Sequence, residues 1–117
     1  MRILTIDNKQ DALILRKRVR DFDVTRIAQK EFKALVQKMR LAMRGANGVG
    51  LSANQVGLDS RLFIARVEGK LYTIVNPVIA KASAVSVELE EGCLSVPNRY
   101  GIVERARTVT LAGFDYR

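Results

Sequence analysis

The sequence predicts an α+β domain, with helix in its first part and a mainly antiparallel sheet after it. Two observations carry this prediction. Before residue 45, apolar residues recur every three or four positions, which is the period of a helix. After residue 60, short apolar segments with strand-like alternation are separated by turn residues. At 117 residues, the chain 1–117 is expected to form one domain.

Two segments of the first part have helical character. Asp11–Arg20 carries apolar residues among basic ones and predicts a short helical turn. Thr25–Arg44 predicts a longer helix, because its apolar residues fall on one helical face. Those residues are Ala28, Phe32, Leu35, Val36, Met39, Ala42 and Met43.

Polar residues and glycines predict where these elements begin and end. Asp23 or Thr25 is expected to cap the long helix, because a side-chain oxygen there can accept a free backbone N–H. Gly45 and Gly48 are expected to end it. Asn76–Pro77 is expected to end a strand, since proline has no N–H to donate to a neighbouring strand.

The second part contains segments with the length and residue types of strands. Leu62–Val67 and Leu71–Val75 flank a three-residue turn, which predicts a hairpin. Val85–Leu89 alternates apolar with polar residues, which predicts one buried and one solvated face. Three shorter segments complete the predicted sheet: Val78–Ala80, Ile102–Val103 and Thr108–Leu111.

The net charge of +8 is concentrated near the N-terminus. Residues 1–44 hold 12 Lys and Arg against 5 Asp and Glu, a net charge of +7. Such a region suits contact with RNA or the ribosome. An excess of Lys and Arg is also common on solvated helix faces, and no aromatic residues are interleaved with the charges as they are in single-strand binding sites. Both interpretations stay open here.

Composition favours a reducing compartment, either the cytoplasm or an organelle matrix. The single cysteine excludes an intrachain disulfide, and secreted domains of this size are usually rich in disulfides. No apolar run approaches the roughly 20 residues that span a bilayer, so no membrane contact is expected.

Two short segments contain the residues with chemical potential. Residues 48–55 read GVGLSANQ, and residues 91–95 read EGCLS and hold the only cysteine, Cys93. Taken alone, Cys93 has three possible roles, which are packing, nucleophilic attack and metal ligation. Ser95 has no histidine to activate it, because the 117 residues contain none.

Together, the two segments resemble the first two signature motifs of the peptide deformylases. Those motifs are Gly-φ-Gly-φ-Ala-Ala-x-Gln and Glu-Gly-Cys-φ-Ser, where φ is apolar. The first differs here only at Ser52, where the family prefers alanine, and the second matches throughout. The third family motif, His-Glu-x-x-His on a C-terminal helix, is not in the sequence. The resemblance therefore implies a peptide-deformylase-like fold that lacks the C-terminal catalytic helix.

The resemblance also implies a role for individual residues. Cys93 matches the thiolate ligand of the metal, whereas the Leu94 backbone N–H and the Gln55 amide match the catalytic donors to the oxyanion. The Gly50 backbone matches the segment that pairs with substrate as an added strand. The remaining matches belong to the substrate pocket or to backbone passing close to it: Gly48, Val49, Leu89, Glu91 and Gly92.

The implied activity is metal-dependent hydrolysis of the N-formyl group from the initiator methionine of nascent polypeptides. Members of the family use Fe2+, and Zn2+, Ni2+ or Co2+ can occupy the site. Because this sequence lacks the two histidines and the glutamate of the third motif, we expect the 117 residues alone to be inactive and to bind no stoichiometric metal.

Three alternatives stay open. In the first, the chain is a non-catalytic relative that binds formyl-peptides. In the second, it is a basic module that associates with the ribosome or RNA. In the third, two chains self-associate through a sheet face that is left uncovered.

Overall fold

The computed structural model describes residues 1–115. In that range two helices precede six strands, in the order α1, α2 and β1 to β6. This order and the antiparallel pairing confirm the predicted α+β fold class. The elements are α1 (Lys9–Arg16), α2 (Gln29–Gly45), β1 (Gly50–Ser52), β2 (Leu62–Val67), β3 (Lys70–Ala82), β4 (Ser86–Cys93), β5 (Val96–Ala106) and β6 (Val109–Asp115), with a 3-10 turn at Ala53–Val56.

The strands form two antiparallel sheets. Four strands lie in the order β1-β2-β3-β6, so β1 and β6 are the edges of the larger sheet. The hairpin of β4 and β5 forms the smaller sheet. Neither helix has the length and apolar content needed to cross a membrane, a finding that covers the described residues.

The predicted strand end at Asn76–Pro77 is wrong, because β3 continues to Ala82. A register shift between Val75 and Val78 accommodates the proline at an irregularity, where its missing N–H breaks no regular pairing. Asn76 has a positive φ of 51°. Its side chain exchanges two hydrogen bonds with the backbone of Phe22, at 2.7 and 3.0 Å. The segment Val78–Ala80 is therefore part of β3.

The helix starts also differ from prediction. α2 begins at Gln29, and its capping residue Ala28 offers no side-chain oxygen. The Asp23 carboxylate instead accepts bonds from the N–H and hydroxyl of Thr25, which forms a separate turn before the helix. α1 begins at Lys9, two residues before the predicted start, because the Asn8 side chain caps it.

The end of α2 is close to the predicted place but uses a different residue. Asn47 adopts the left-handed φ of 58°, and the Gly48 N–H donates to the Met43 carbonyl at 2.9 Å. The Asn47 N–H donates to Arg44, which completes the pair of bonds typical of a helix C-terminus. This turn sends the chain directly into β1.

The core lies between α2 and the larger sheet. The helix contributes Phe32, Met39 and Met43, each at most 2% exposed. The sheet and the 3-10 turn contribute Leu51, Ala53, Leu62, Ile64 and Val75.

The predicted buried face of Val85–Leu89 is wrong within the described residues. Val85 is 59% exposed and Leu89 is 49% exposed, while Val87 between them is half-buried, because β5 is the only helix or strand in residues 1–115 that contacts β4 extensively. β6 is exposed along its whole length.

The N-terminal segment, residues 1–8, is held against the domain by Asp11. Asp11 is buried and receives two bonds from the Arg2 guanidinium, at 2.7 and 2.9 Å, and one from the Thr5 N–H. The segment also donates from Leu4 to the Gln55 carbonyl and from Ile6 to the Ser95 carbonyl. Asp11 therefore supports the two segments that contain the predicted site.

The Asp11 attachment predicts a pH-dependent stability. Hydrogen bonds from Arg2 hold the pKa of the Asp11 carboxyl below its usual value. Its contribution is present above the unfolded-state pKa and is lost as pH falls through the lower folded-state pKa. We expect Asp11→Asn to lower the free energy of unfolding at pH 7, with a difference from wild type that shrinks below about pH 4. Urea unfolding at several pH values measures this.

The matched control is Asp7→Asn, which removes an exposed ion pair with Arg99. We expect this change to alter stability little, since exposed pairs contribute weakly. A deficit for Asp11→Asn that is constant from pH 7 to pH 3 would contradict the assignment.

Candidate active site

The first contact between the two motif segments is apolar. The Leu94 side chain lies directly over Gly48, where a Cβ atom would come within 2.5 Å of the Leu94 Cδ1 atom. Leu94 also packs on the core cluster beneath α2. Glycine at 48 thus allows the turn that contains Leu94 to approach the end of the helix.

The second contact is polar and runs through Gln55. Its Oε1 accepts the Ser52 N–H at 2.9 Å, which fixes the side chain within the 3-10 turn. Its Nε2 donates to the Ser95 hydroxyl at 3.1 Å and to the Cys93 Sγ at 3.6 Å. Ser95 is 4% exposed. Ser95 thus has a structural role as a hydrogen-bond acceptor for Gln55. The same amide group is also directed at the Cys93 thiol.

Cys93 and Leu94 lie where the β4–β5 hairpin turns. Cys93 is exposed, and the Leu94 N–H has no hydrogen-bond acceptor within residues 1–115. The register shifts after Gly92, which pairs with Tyr100, whereas Cys93 pairs with Val96. The extra residues on β5 are Pro97, Asn98 and Arg99, and they line the same groove as the thiol.

The free edge of β1 presents one backbone site next to Gln55. The Arg66 N–H donates to the Val49 carbonyl, and Gly50 pairs with Ala65. In an antiparallel ladder, alternate residues point away from the partner strand. The N–H and carbonyl of Gly50 therefore point outward, and the outward N–H of Ser52 is bonded to Gln55.

A groove of about 730 Å³ connects these features. Seven of the nine predicted site residues line it: Gly48, Val49, Gly50, Gln55, Gly92, Cys93 and Leu94. One wall was missed by the sequence reasoning. Tyr100 is 74% exposed and lies against Gly92, where a Cβ would come within 2.7 Å of its ring. No local sequence pattern marks Tyr100 as a site residue, because the register shift between β4 and β5 brings it to the groove.

Leu89 and Glu91 are not among the residues that line the groove. Glu91 forms a two-bond ion pair with Arg105 on β5, at 2.7 and 2.8 Å. Those bonds lower the pKa of the Glu91 carboxyl. Leu89 is half exposed on β4. The placement of Glu91 beside the cysteine segment suits a role in holding the two strands of the hairpin together.

The donor atoms near Cys93 do not fit a divalent metal by themselves. Within residues 1–115, no group of three or more His, Cys, Asp or Glu side chains could hold a metal ion. Cys93 offers one thiolate, the Gln55 atom nearest to it is a donor nitrogen, and the sequence has no histidine. A catalytic zinc or iron site normally has three protein ligands.

The Gly48–Leu94 contact predicts the effect of a single methyl group. Gly48→Ala is expected to destabilise the fold by about 1 kcal/mol, at the low end of overpacking costs because the end of the Leu94 side chain can rotate. In a Leu94→Ala background, the same change is expected to cost close to nothing. Urea unfolding of the four proteins measures this difference.

Gly50→Ala is the matched control for Gly48→Ala. A Cβ at position 50 meets only the Ile64 carbonyl at 3.7 Å, an ordinary contact. We expect it to change stability by less than about 0.5 kcal/mol. An equal cost of Gly48→Ala with and without the Leu94 side chain would refute the contact as its cause.

Comparison with known proteins identifies the relatives of this fold. The family model described as polypeptide deformylase matches residues 1–117. The peptide deformylase of Chloroflexus aggregans is 36% identical over 94% of this chain and 65% of its own length. Those of Treponema pallidum and Rhodopirellula baltica are covered over 53% and 44% of their lengths. The chain thus spans less than two thirds of these curated relatives.

Solved structures give the same result. A probable peptide deformylase from Synechococcus phage S-SSM7 superposes with a TM-score of 0.85 at 30% identity, covering 98% of this chain and 76% of that one. The peptide deformylase from Thermotoga maritima gives 0.86 at 28% identity, covering 97% and 73%. Motifs, fold and relatives agree, and the chain belongs to the polypeptide deformylase family.

Proposed function

We propose that this chain carries the peptide-binding and oxyanion-stabilising part of a deformylase site, for hydrolysis of the N-formyl group on the methionine of nascent polypeptides. The observation that carries the proposal is the Gln55 side chain, which joins the two motif segments at the thiol of Cys93. A cysteine with a purely structural role would be buried and would need no amide donor, whereas the Cys93 thiol is exposed in a groove.

Two donors suit a developing negative charge on the formyl oxygen. The Leu94 N–H is without an acceptor in residues 1–115, and Gln55 lines the same groove as Leu94. Because Ser52 and Ser95 hold the Gln55 amide, only its long bond to the Cys93 Sγ at 3.6 Å has to be exchanged for one to a bound oxygen. Preorganised donors of this kind contribute about 3 to 4 kcal/mol each to transition-state stabilisation.

The substrate backbone is proposed to pair with the free edge of β1 at Gly50. A peptide added there as a strand exchanges main-chain hydrogen bonds with the outward N–H and carbonyl of Gly50. Val49, beside it, is 72% exposed and contributes apolar surface to the groove. Val49 and Gly48 thus suit the side chain of methionine, since ligand pockets are mostly apolar.

The proposed role of Cys93 is to supply one thiolate to the divalent metal on which the family depends. The remaining ligands and a group that moves the proton are not among the described residues. We therefore propose that the 117 residues alone do not turn over formyl-peptides. The proposal names no single metal among iron, zinc, nickel and cobalt, because selectivity depends on the full ligand set and its geometry.

The setting proposed for this activity is the cytoplasm or an organelle matrix. One exposed free cysteine is compatible with the reducing conditions there. Contact with the ribosome through the basic residues 1–44 is part of the proposal. Self-association through the exposed β6 is another part, and light scattering tests it, since a strict monomer at high concentration would rule it out.

The peptide site predicts a selective effect at Gly50. Gly50→Pro removes the outward N–H, while edge strands tolerate proline. We expect it to weaken binding of formyl-Met-Ala-Ser by about fivefold, the effect of one backbone hydrogen bond of about 1 kcal/mol. Isothermal titration calorimetry measures this affinity. Gly50→Ala keeps the N–H and is the control. Equal affinity of wild type and Gly50→Pro, both folded by circular dichroism, would contradict β1 as the docking edge.

The incomplete ligand set predicts the metal content of the purified chain. We expect well below one iron, zinc, nickel or cobalt per chain by plasma mass spectrometry, and no release of formate from formyl-Met-Ala-Ser. The metal content of Cys93→Ser measures the metal that binds without the thiolate. One metal per chain in wild type that is lost in Cys93→Ser, or turnover by wild type alone, would overturn the proposed inactivity.

A further inference from the structure

The outward face of α2 carries a line of cations. The residues recur at steps of three and four, which places them on one side of the helix. The opposite side is fixed by burial, since Phe32, Met39 and Met43 pack on the sheet. The line, called the basic stripe below, consists of Lys30, Lys33, Gln37, Arg40 and Arg44, all exposed.

The basic stripe is not neutralised by the protein. Seven ion pairs occur among residues 1–115, and none includes a cation of the stripe. By contrast, Arg2, Arg26 and Arg61 each have an acidic partner. The one acidic residue of α2, Glu31, lies about 100° around the helix from Lys30. The field of the four cations is therefore directed to solvent.

The dimensions of the stripe suit a polyanion. From Lys30 to Arg44 the helix rises about 21 Å, at about 1.5 Å per residue. One strand of a DNA duplex carries a phosphate about every 3.4 Å along its axis, so on that scale the stripe is long enough to run beside about six phosphates of a duplex. Four cations over that length suit contact with several phosphates of one strand.

The residues of α2 argue against two other polyanionic partners, an anionic membrane surface and single-stranded nucleic acid. A helix that lies in a membrane surface inserts an apolar face, and that face of α2 is buried against the sheet. Single-stranded nucleic acid needs aromatic rings for stacking, and the basic stripe has none. Leu41 is the one large apolar residue of α2 with more than half its area exposed, within the described part of the chain.

We propose that the basic stripe binds the phosphate backbone of duplex RNA. The inference that the stripe binds a polyanion rests on its four cations and does not depend on the deformylase chemistry. The choice of RNA over DNA rests on the proposed function, because nascent polypeptides emerge from a particle whose surface is rich in RNA duplexes. The stripe then holds the chain near its substrates while the groove at Cys93 stays free, since no stripe residue lines that groove.

Fluorescence anisotropy with a labelled 20-base-pair RNA duplex, from 50 to 300 mM KCl, tests this proposal. Two double variants, K30Q/K33Q and R40Q/R44Q, are each expected to weaken binding at least fivefold. Each is also expected to reduce the slope of log K against log salt by about 1.5 to 2, roughly 0.9 for each lost phosphate contact. The conservative variant R40K/R44K is expected to retain the wild-type slope.

The matched control removes two cations elsewhere, in K81Q/R107Q, whose side chains are exposed on or after β strands. It has the same net charge as each double variant and is expected to bind within twofold of wild type. Equal losses in the control and in the stripe variants would overturn the proposal, since net charge alone would then explain binding. Binding to vesicles with 30% phosphatidylserine, but not to RNA, would overturn it in favour of a membrane.

These outcomes are separable from the catalytic proposal. RNA affinity is measured without substrate, metal or turnover, and formyl-peptide binding is measured without RNA. Stripe variants that lose RNA affinity but bind formyl-Met-Ala-Ser as wild type does support the stripe alone. RNA affinity unchanged in both folded stripe variants would overturn it, whatever the result of the peptide titration.

Discussion

The structure depends on the close approach of two segments that are about 40 residues apart in the chain. The approach favours glycine at 48, because the Leu94 side chain occupies the volume of a Cβ there. It is completed by Gln55, whose amide reaches both Ser95 and Cys93. Separation of these segments would expose the buried Ser95 hydroxyl and remove the only protein contact of the thiol among the described hydrogen bonds. The apolar contact sets the distance, and the polar contact sets the orientation.

Elements far from the groove support this approach. α2 packs Met43 into the core, and the left-handed Asn47 then directs the chain into β1. From the other side, the N-terminal segment donates hydrogen bonds to the carbonyls of Gln55 and Ser95, so that it spans both motif segments. The Arg2–Asp11 pair fixes that segment. Stability and site geometry therefore depend on the same contacts. Loss of the Gly48–Leu94 contact or of the Gln55 hydrogen bonds is expected to change both the free energy of unfolding and the geometry of the site.

Sequence reasoning predicted the elements well where periodicity decides, and poorly where a tertiary hydrogen bond decides. The apolar spacing of α2 and the hairpin of β2 and β3 were readable, since burial imposes both patterns. The continuation of β3 through Pro77 could not be predicted from the sequence. It depends on hydrogen bonds between the Asn76 side chain and the backbone of Phe22, 54 residues away in the chain. The site motifs brought seven predicted residues into one groove. Tyr100 entered it through a bulge in β5 that no local pattern in the sequence specifies.

The arrangement around Cys93 separates two tasks that a metallohydrolase must combine. The orientation of Gln55 is set by Ser52 and Ser95, and the outward direction of Gly50 is set by the pairing of β1 with β2, so neither depends on a metal. In the proposed function, water activation needs further ligands, since no group of three or more His, Cys, Asp or Glu side chains within residues 1–115 could hold a metal ion. In the proposed function, peptide recognition and oxyanion stabilisation are thus properties of this chain. In the same proposal, the exposed thiol of Cys93 is the point at which these properties and the hydrolytic step would meet.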